Sequence, residues 1–166
     1  MFDGKTIIYV DMDHVLCDYK AGFAQWQAKY PEMKYPQSRP GMYLSLKPMD
    51  GAIDTYLWLH NHPKTAVFIL TAPSVKNPHC YAEKRVWVEQ YLGMDAAHNL
   101  IISSHKGLNR GDYLIDDNIA GKGQDLFEGK LTHFGSEYFP DWIAVRDYFE
   151  QILPKDWRSI HRKNNL

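Results

Sequence analysis

The chain has little that would place it in a membrane, on a nucleic acid or outside a cell. Its 166 residues include two cysteines, Cys17 and Cys80, too few for the disulfide framework of a small secreted domain and without metal-ligand spacing. Both are expected to be plain reduced thiols. No apolar run approaches the roughly 20 residues that cross a bilayer. The first residues lack a basic stretch followed by an apolar segment and a cleavage site. A soluble, cytoplasmic protein with no membrane partner is expected. An excess of one charge is also missing: 19 Lys and Arg stand against 20 Asp and Glu, leaving a formal net charge of −1. The signs are interspersed, which argues against a surface that holds nucleic acid stably, because such a surface carries a clear basic excess. There is no internal repeat and no low-complexity tract.

What is present is a chain of 45% hydrophobic residues, enough for one core and one domain with a small insertion. Four apolar runs end in polar groups. Ile7, Ile8, Tyr9 and Val10 form a continuous run that suits a strand covered on both faces, and it ends at Asp11 and Asp13. Thr65–Leu70 ends at Thr71, the run around Ile101 ends shortly before Lys106, and Leu114 and Ile115 lead into Asp116 and Asp117. Helical spacing separates these runs. Asp18 can cap a helix through Phe23, Trp26 and Tyr30 that Pro31 ends. Gly51–His60 resumes helical spacing, Tyr81–Leu92 makes a helix with a left-handed stop at Gly93, and Trp142–Leu153 makes the last, opened by Pro140 and Asp141. A short strand near Leu131 completes the pattern, and Pro31–Pro48 reads as loop rather than packed element. Strands alternating with helices predict an α/β fold with a parallel sheet, whose carboxyl ends share one rim.

The rim collects an acid pair, a hydroxyl, an ammonium and a second acid pair. Two carboxylates about 4 Å apart repel by roughly 4 kcal/mol near a protein surface, a cost that a bound cation relieves. The residues permit phosphoryl chemistry. Asp11 can attack phosphorus, and Asp13 can give and take a proton. Thr71 and the N–H of Ala72 can hold a phosphoryl oxygen, and Lys106 can neutralise charge. Lys84 is a rival for that ammonium, though its helical setting favours Lys106. The Asp116–Asp117–Asn118 sequence alone would also suit an ordinary turn after a strand. Gly121-Lys122-Gly123 does not make a phosphate cradle, because it lacks the preceding strand and the following helix.

This constellation resembles the haloacid dehalogenase (HAD) superfamily of aspartate-dependent phosphohydrolases. DMDHVLCD, Asp11 to Asp18, matches its first motif, Thr71 the second, Lys106 the third and Asp116–Asp117 the fourth. Within it the chain is most similar to the 5'(3')-deoxyribonucleotidases, which share Thr-x-Pro (Thr71, Ala72, Pro73), an E-K-x-x-W-V-E helix (Glu83 to Glu89), and a Lys followed after a fixed gap by Leu-Ile-Asp-Asp. The resemblance implies a Rossmann-like three-layer sandwich with a mainly parallel sheet, residues 1–18 and 47–166 forming the core and 19–46 a small helical cap after the first strand. It implies a Mg²⁺-dependent phosphomonoesterase that acts on nucleoside monophosphates through an aspartyl-phosphate. Asp11, the main-chain carbonyl of Asp13 and one of Asp116 and Asp117 would hold the ion, with Asp117 as the direct ligand; oxygen donors of this kind suit Mg²⁺. Tyr19, Met42 and Tyr43 are the cap residues offered to the nucleoside, since aromatic rings can stack on a base, while Phe23, Trp26 and Tyr30 suit packing within the cap.

The sequence departs from the family pattern twice. His14 stands where Gly is usual, and His enters positive φ more readily than most side chains. As a Mg²⁺ ligand it would be a poor choice, which leaves a substrate contact as its other functional reading. The cap is also shorter than in the mammalian enzymes, and short caps of this superfamily often borrow cover from a second subunit, so a homodimer is compatible. Two further functions fit the same residues: a phosphatase of the superfamily acting on polynucleotide ends or other small phosphate esters, and a nonenzymatic domain that binds a nucleotide or a partner. The few cations of residues 19–46 weigh against polynucleotide ends, since a groove for a strand should carry a basic stripe. The intact set Asp11, Asp13, Thr71, Lys106 and Asp117 weighs against the second.

Overall fold

The structure, a computed structural model, describes Phe2 and residues 4–153; the outermost parts of the expected core, including 154–166, lie outside the described residues. The first apolar run forms β1 (Thr6–Val10), followed by α1 (Tyr19–Lys29), α2 (Ala52–His60), β2 (Thr65–Thr71), α3 (Cys80–Leu92) and α4 (Met94–His98). Then come β3 (Leu100–Ile102), β4 (Tyr113–Asp116), β5 (Lys130–His133) and α5 (Trp142–Ile152). Short 3-10 turns occupy Pro36–Ser38, Tyr43–Ser45, Lys106–Leu108 and Gln124–Leu126.

The five strands are ordered β3-β2-β1-β4-β5 and every neighbouring pair is parallel. The chain winds outward from β1 through β2 to β3, then returns across the sheet to β4 and β5. Right-handed crossovers in opposite directions must pass over opposite faces. All five helices lie on one face, where they share a large cluster with Ile8, Val10, Val67, Ile69 and Ile115. The return connections carry only the 3-10 turns Lys106–Leu108 and Gln124–Leu126. Tyr9, Leu70 and Leu114 on the second face are covered by Phe127, and Phe2 meets Phe68 edge-on. The third layer is therefore thin and made of turns.

Asp18 caps α1 by accepting from the N–H of Ala21 at 2.9 Å, and Asp141 caps α5 by accepting from Ala144 at 2.9 Å, as the spacing predicts. Two expectations need correction. Gly93 ends α3 with the expected positive φ, 87°, but with ψ 175° rather than the value of a left-handed helical stop, and the chain enters α4 directly. That helix spans five residues, too few to reveal a period. Residues 31–48 are not a loose loop. They carry two 3-10 turns, and Met42, Tyr43 and Leu46 are buried in the large cluster. Gly22 on α1 makes this possible, because a Cβ there would lie 2.2 Å from Leu46 Cδ2.

Candidate active site

The site sits at the carboxyl ends of β1 and β4, where the winding direction reverses. A crevice opens at such a switch point because the connections leave over opposite faces. The N–H of Asp11 donates to the carbonyl of Ile115 at 2.9 Å, which carries the β1–β4 ladder one residue past the strand and fixes Asp11 beside Asp116. Carboxylate oxygens of Asp11, Asp116 and Asp117 all lie within 4.8 Å of one another. Lys106 answers this charge, with Nζ 2.8 Å from Asp11 Oδ1 and in contact with Asp116 Oδ2.

Asp116 and Asp117 differ in what they have left to offer. The Asp116 carboxylate is wholly buried and accepts from Lys106, from the N–H of Asn118 at 2.9 Å and from Gln124 Nε2 at 3.2 Å. Burial and the Asp11 charge push its pKa up against the pull of Lys106. Asp117 lines the open cleft and accepts from Asn118 Nδ2 at 2.9 Å. Burial, then the charge of Asp11, raises its pKa to about 6, with His14 opposing and Asp116 adding to the rise. Three carboxylates thus face one ammonium. An oxygen-only donor set with excess negative charge fits a hard divalent cation such as Mg²⁺.

The two lysines do not compete for one place. Lys84, fully buried on α3, donates from Nζ to Asp13 Oδ1 and to Thr71 Oγ1, each at 2.8 Å. Burial alone would lower its pKa, but the charges of Asp13 and Asp11 outweigh it and the net shift is upward. Lys106 therefore belongs to the Asp11–Asp116 side and Lys84 to the Asp13–Thr71 side. His14 has φ 64°, the one positive value at a non-glycine among the described residues. The left-handed turn usually given to Gly is kept by His, and its ring packs 5.0 Å from that of Tyr19.

A cleft of about 290 Å³ joins Asp11, Asp13, Lys106 and Asp117 to Ala72, Ser74, Tyr19 and Tyr43. Tyr19 and Tyr43 lie on its cap side, with ring centroids 6.1 Å apart; burial, then the Asp13 charge, raises the Tyr19 pKa to about 12. Met42 is not brought to the cleft. Its side chain is fully buried in the main cluster, because the 3-10 turn that follows aims neighbouring side chains in different directions. Thr71 is buried just behind Ala72, its hydroxyl accepting from Lys84.

Four contributors carry little or no signal of this role in the sequence. Gln124 and Lys122 line the cleft, and the N–H of Lys106 donates to the carbonyl of Lys122 at 2.7 Å. Glu83 accepts from the N–H groups of Gly41 and Tyr43, while Trp87 Nε1 donates to the carbonyl of Leu46 at 2.9 Å. The E-K-x-x-W pattern was the available signal for the last pair. It marks one helix face that bonds the backbone of residues 41–46 and the Asp13 carboxylate together. For Lys122 and Gln124 the sequence carried no comparable signal.

A family model described as "5' nucleotidase, deoxy (Pyrimidine), cytosolic type C protein" matches residues 28–139. The chain belongs to this family. A "Putative 5'(3')-deoxyribonucleotidase" of Vibrio phage KVP40 is 42% identical over 147 residues, covering 87% of this chain and 84% of the relative. The cytosolic-type 5'(3')-deoxyribonucleotidase of Homo sapiens is 33% identical over 147 residues, covering 71% and 73%. The mitochondrial 5'(3')-deoxyribonucleotidase of Mus musculus is 28% identical over 196 positions, covering 92% and 84%. Those 196 positions exceed the 166 residues of this chain, so the mitochondrial relative carries insertions absent here. Among the described residues no helix is long and apolar enough to cross a membrane.

Proposed function

We propose that this family member is a Mg²⁺-dependent phosphomonoesterase that hydrolyses nucleoside monophosphates in the cytoplasm, with 5'- and 3'-deoxyribonucleotides preferred. The observation that carries the reading is one cleft that joins two differently paired carboxylates, Asp11 and Asp13, to an aromatic wall of Tyr19 and Tyr43. A binding domain has no use for a nucleophile beside an acid. Relatives named as deoxyribonucleotidases support the substrate class. Residues 19–46 act as the cap that supplies the wall.

In the mechanism, Asp11 attacks phosphorus and forms an aspartyl-phosphate while the bond to the nucleoside oxygen breaks. Lys84 bonds Asp13 through Oδ1, so the proton given to the departing alkoxide is carried on Oδ2. Water then attacks the phosphorus of the intermediate, Asp13 takes its proton, and Asp11 is released with inorganic phosphate. Thr71 and the N–H of Ala72 hold phosphoryl oxygens, and Lys106, 2.8 Å from Asp11 Oδ1, aims the Asp11 carboxylate. Asp11, Asp117 and the carbonyl of Asp13 would hold Mg²⁺, with Asp116 bracing them from behind. The ion would supply charge neutralisation on the phosphoryl group.

Phosphate release from 5'-dNMPs, 3'-dNMPs, NMPs, a 3'-phosphorylated oligonucleotide and p-nitrophenyl phosphate, with and without Mg²⁺, tests the reading. Metal-dependent hydrolysis selective for deoxynucleotides is expected. Preference for the oligonucleotide would replace the substrate, and absence of turnover on every member would remove the enzyme reading.

A further inference from the structure

Glu83 is a buried carboxylate, 6% exposed, whose partners among the described residues are backbone N–H groups rather than a cation. Oε1 accepts from Gly41 at 2.6 Å and Oε2 from Tyr43 at 3.1 Å. A carboxylate taken out of water and spent wholly on a distant loop fixes that loop strongly, because charge-assisted bonds are roughly twice as strong as neutral ones. Gly41 takes φ 93°, a conformation that leaves its N–H free to turn toward Glu83. Tyr43 is thereby held from behind by its own backbone while its ring faces the cleft, 6.1 Å from Tyr19 and 5.0 Å from the Lys84 ammonium. That ammonium is the one that bonds Asp13 and Thr71. Adjacent residues of α3 thus hold the two ends of the cleft: Glu83 the aromatic wall, Lys84 the acid and the hydroxyl.

We propose that Glu83 is a positioning residue for nucleoside recognition. Its carboxylate sets the backbone of residues 41–43 and so the distance between the Tyr43 ring and the phosphate end of the cleft. This rests on the nucleotidase reading, because the role requires a nucleoside packed against Tyr43. A small phosphate ester occupies the rim alone and is indifferent to where that ring stands.

Glu83→Gln keeps the size of the side chain but turns one acceptor into an N–H₂ group facing a backbone N–H. The KM for the best deoxynucleotide should rise about tenfold, the loss of one charge-assisted hydrogen bond, with kcat changed less than about twofold. Both parameters for p-nitrophenyl phosphate should stay within about twofold of wild type. Equal losses on both substrates, or an unchanged nucleotide KM, would overturn the role. Hydrogen exchange on the wild-type protein gives a second test that needs no variant. The Gly41 and Tyr43 amides should be protected like those in the middle of α3, and exchange at free-loop rates would overturn the tether. Wild-type protein that hydrolyses the small ester and no nucleotide would instead sink the nucleotidase reading, and the substrate role of Glu83 with it.

Discussion

Asp117 pays for its place in the site with stability. Its pKa is raised from 3.8 to about 6, first by burial and then by Asp11, so the folded metal-free protein binds this proton more tightly than the unfolded chain does. The sign follows from linkage: stability contributed by this group is fully present below about pH 4 and is lost as pH rises through about 6. Above that range the ionised group strains a cluster that Lys106 only partly neutralises. Asp117→Asn should therefore raise the metal-free melting temperature at pH 7 by about 3 °C, after discounting for the partial exposure of the group. It should also abolish turnover and the thermal shift that Mg²⁺ gives the wild type. A lower melting temperature for the variant, or an undiminished Mg²⁺ shift, would show that the group is not under this strain. At this scale the sequence was informative wherever a motif fixed a residue. His14 takes the positive φ that its place in DMDHVLCD implied. Met42 is turned into the core, because nearness in sequence to Tyr43 does not fix which way a side chain points from a 3-10 turn.

Among the elements, α3 and the turn after β4 contribute more to the site than their sequences announced. The Tyr81–Leu92 periodicity predicts a helix, and the E-K-x-x-W pattern marks it, but only packing reveals that Glu83 and Trp87 bind the backbone of residues 41–46 while Lys84 reaches the rim. The stretch from Gly121 to Phe139 shows no role in the sequence, since its contacts are non-local. Gln124 grips Asp116 from eight residues away, and Lys122 receives the N–H of Lys106. Two glycines permit that close approach. A Cβ at Gly107 would lie 2.6 Å from the carbonyl oxygen of Gly123 and 2.7 Å from Leu126 Cβ. Backbone cannot yield as a flexible side chain does, so Gly107→Ala should force the two turns apart at a cost of about 1–3 kcal/mol. Urea unfolding would measure that loss. Phosphate release under conditions where the variant is folded should fall as well, because Gln124 would no longer hold Asp116. A variant with normal stability and normal turnover would mean that the turns are not mutually braced.

For the whole molecule, the residues at the carboxyl ends of the strands determine where chemistry can occur, and the strand order determines which of them meet. The alternation of apolar runs and helical spacing made a parallel sheet legible, and with it a shared rim. The order β3-β2-β1-β4-β5 was not legible, because near-continuous apolar strands carry no mark of their neighbours. Nor was the thinness of the second face, which follows from return connections that hold 3-10 turns in place of helices. The order places Asp11 next to Asp116 and Asp117, and α3 behind Asp13 and Thr71, so that two carboxylates on one strand end acquire different ammonium partners. That division of labour is the central claim: Asp11 as nucleophile, Asp13 as proton carrier. The most direct test is an acid-quenched single turnover of a 5'-deoxynucleotide labelled in its phosphate, with Mg²⁺, followed by peptide mapping. A labelled, hydroxylamine-sensitive adduct on the peptide containing Asp11, formed and lost within the turnover and missing in Asp11→Asn, is the predicted result. Turnover without label on the protein at any time, or undiminished turnover by Asp11→Asn, would contradict it.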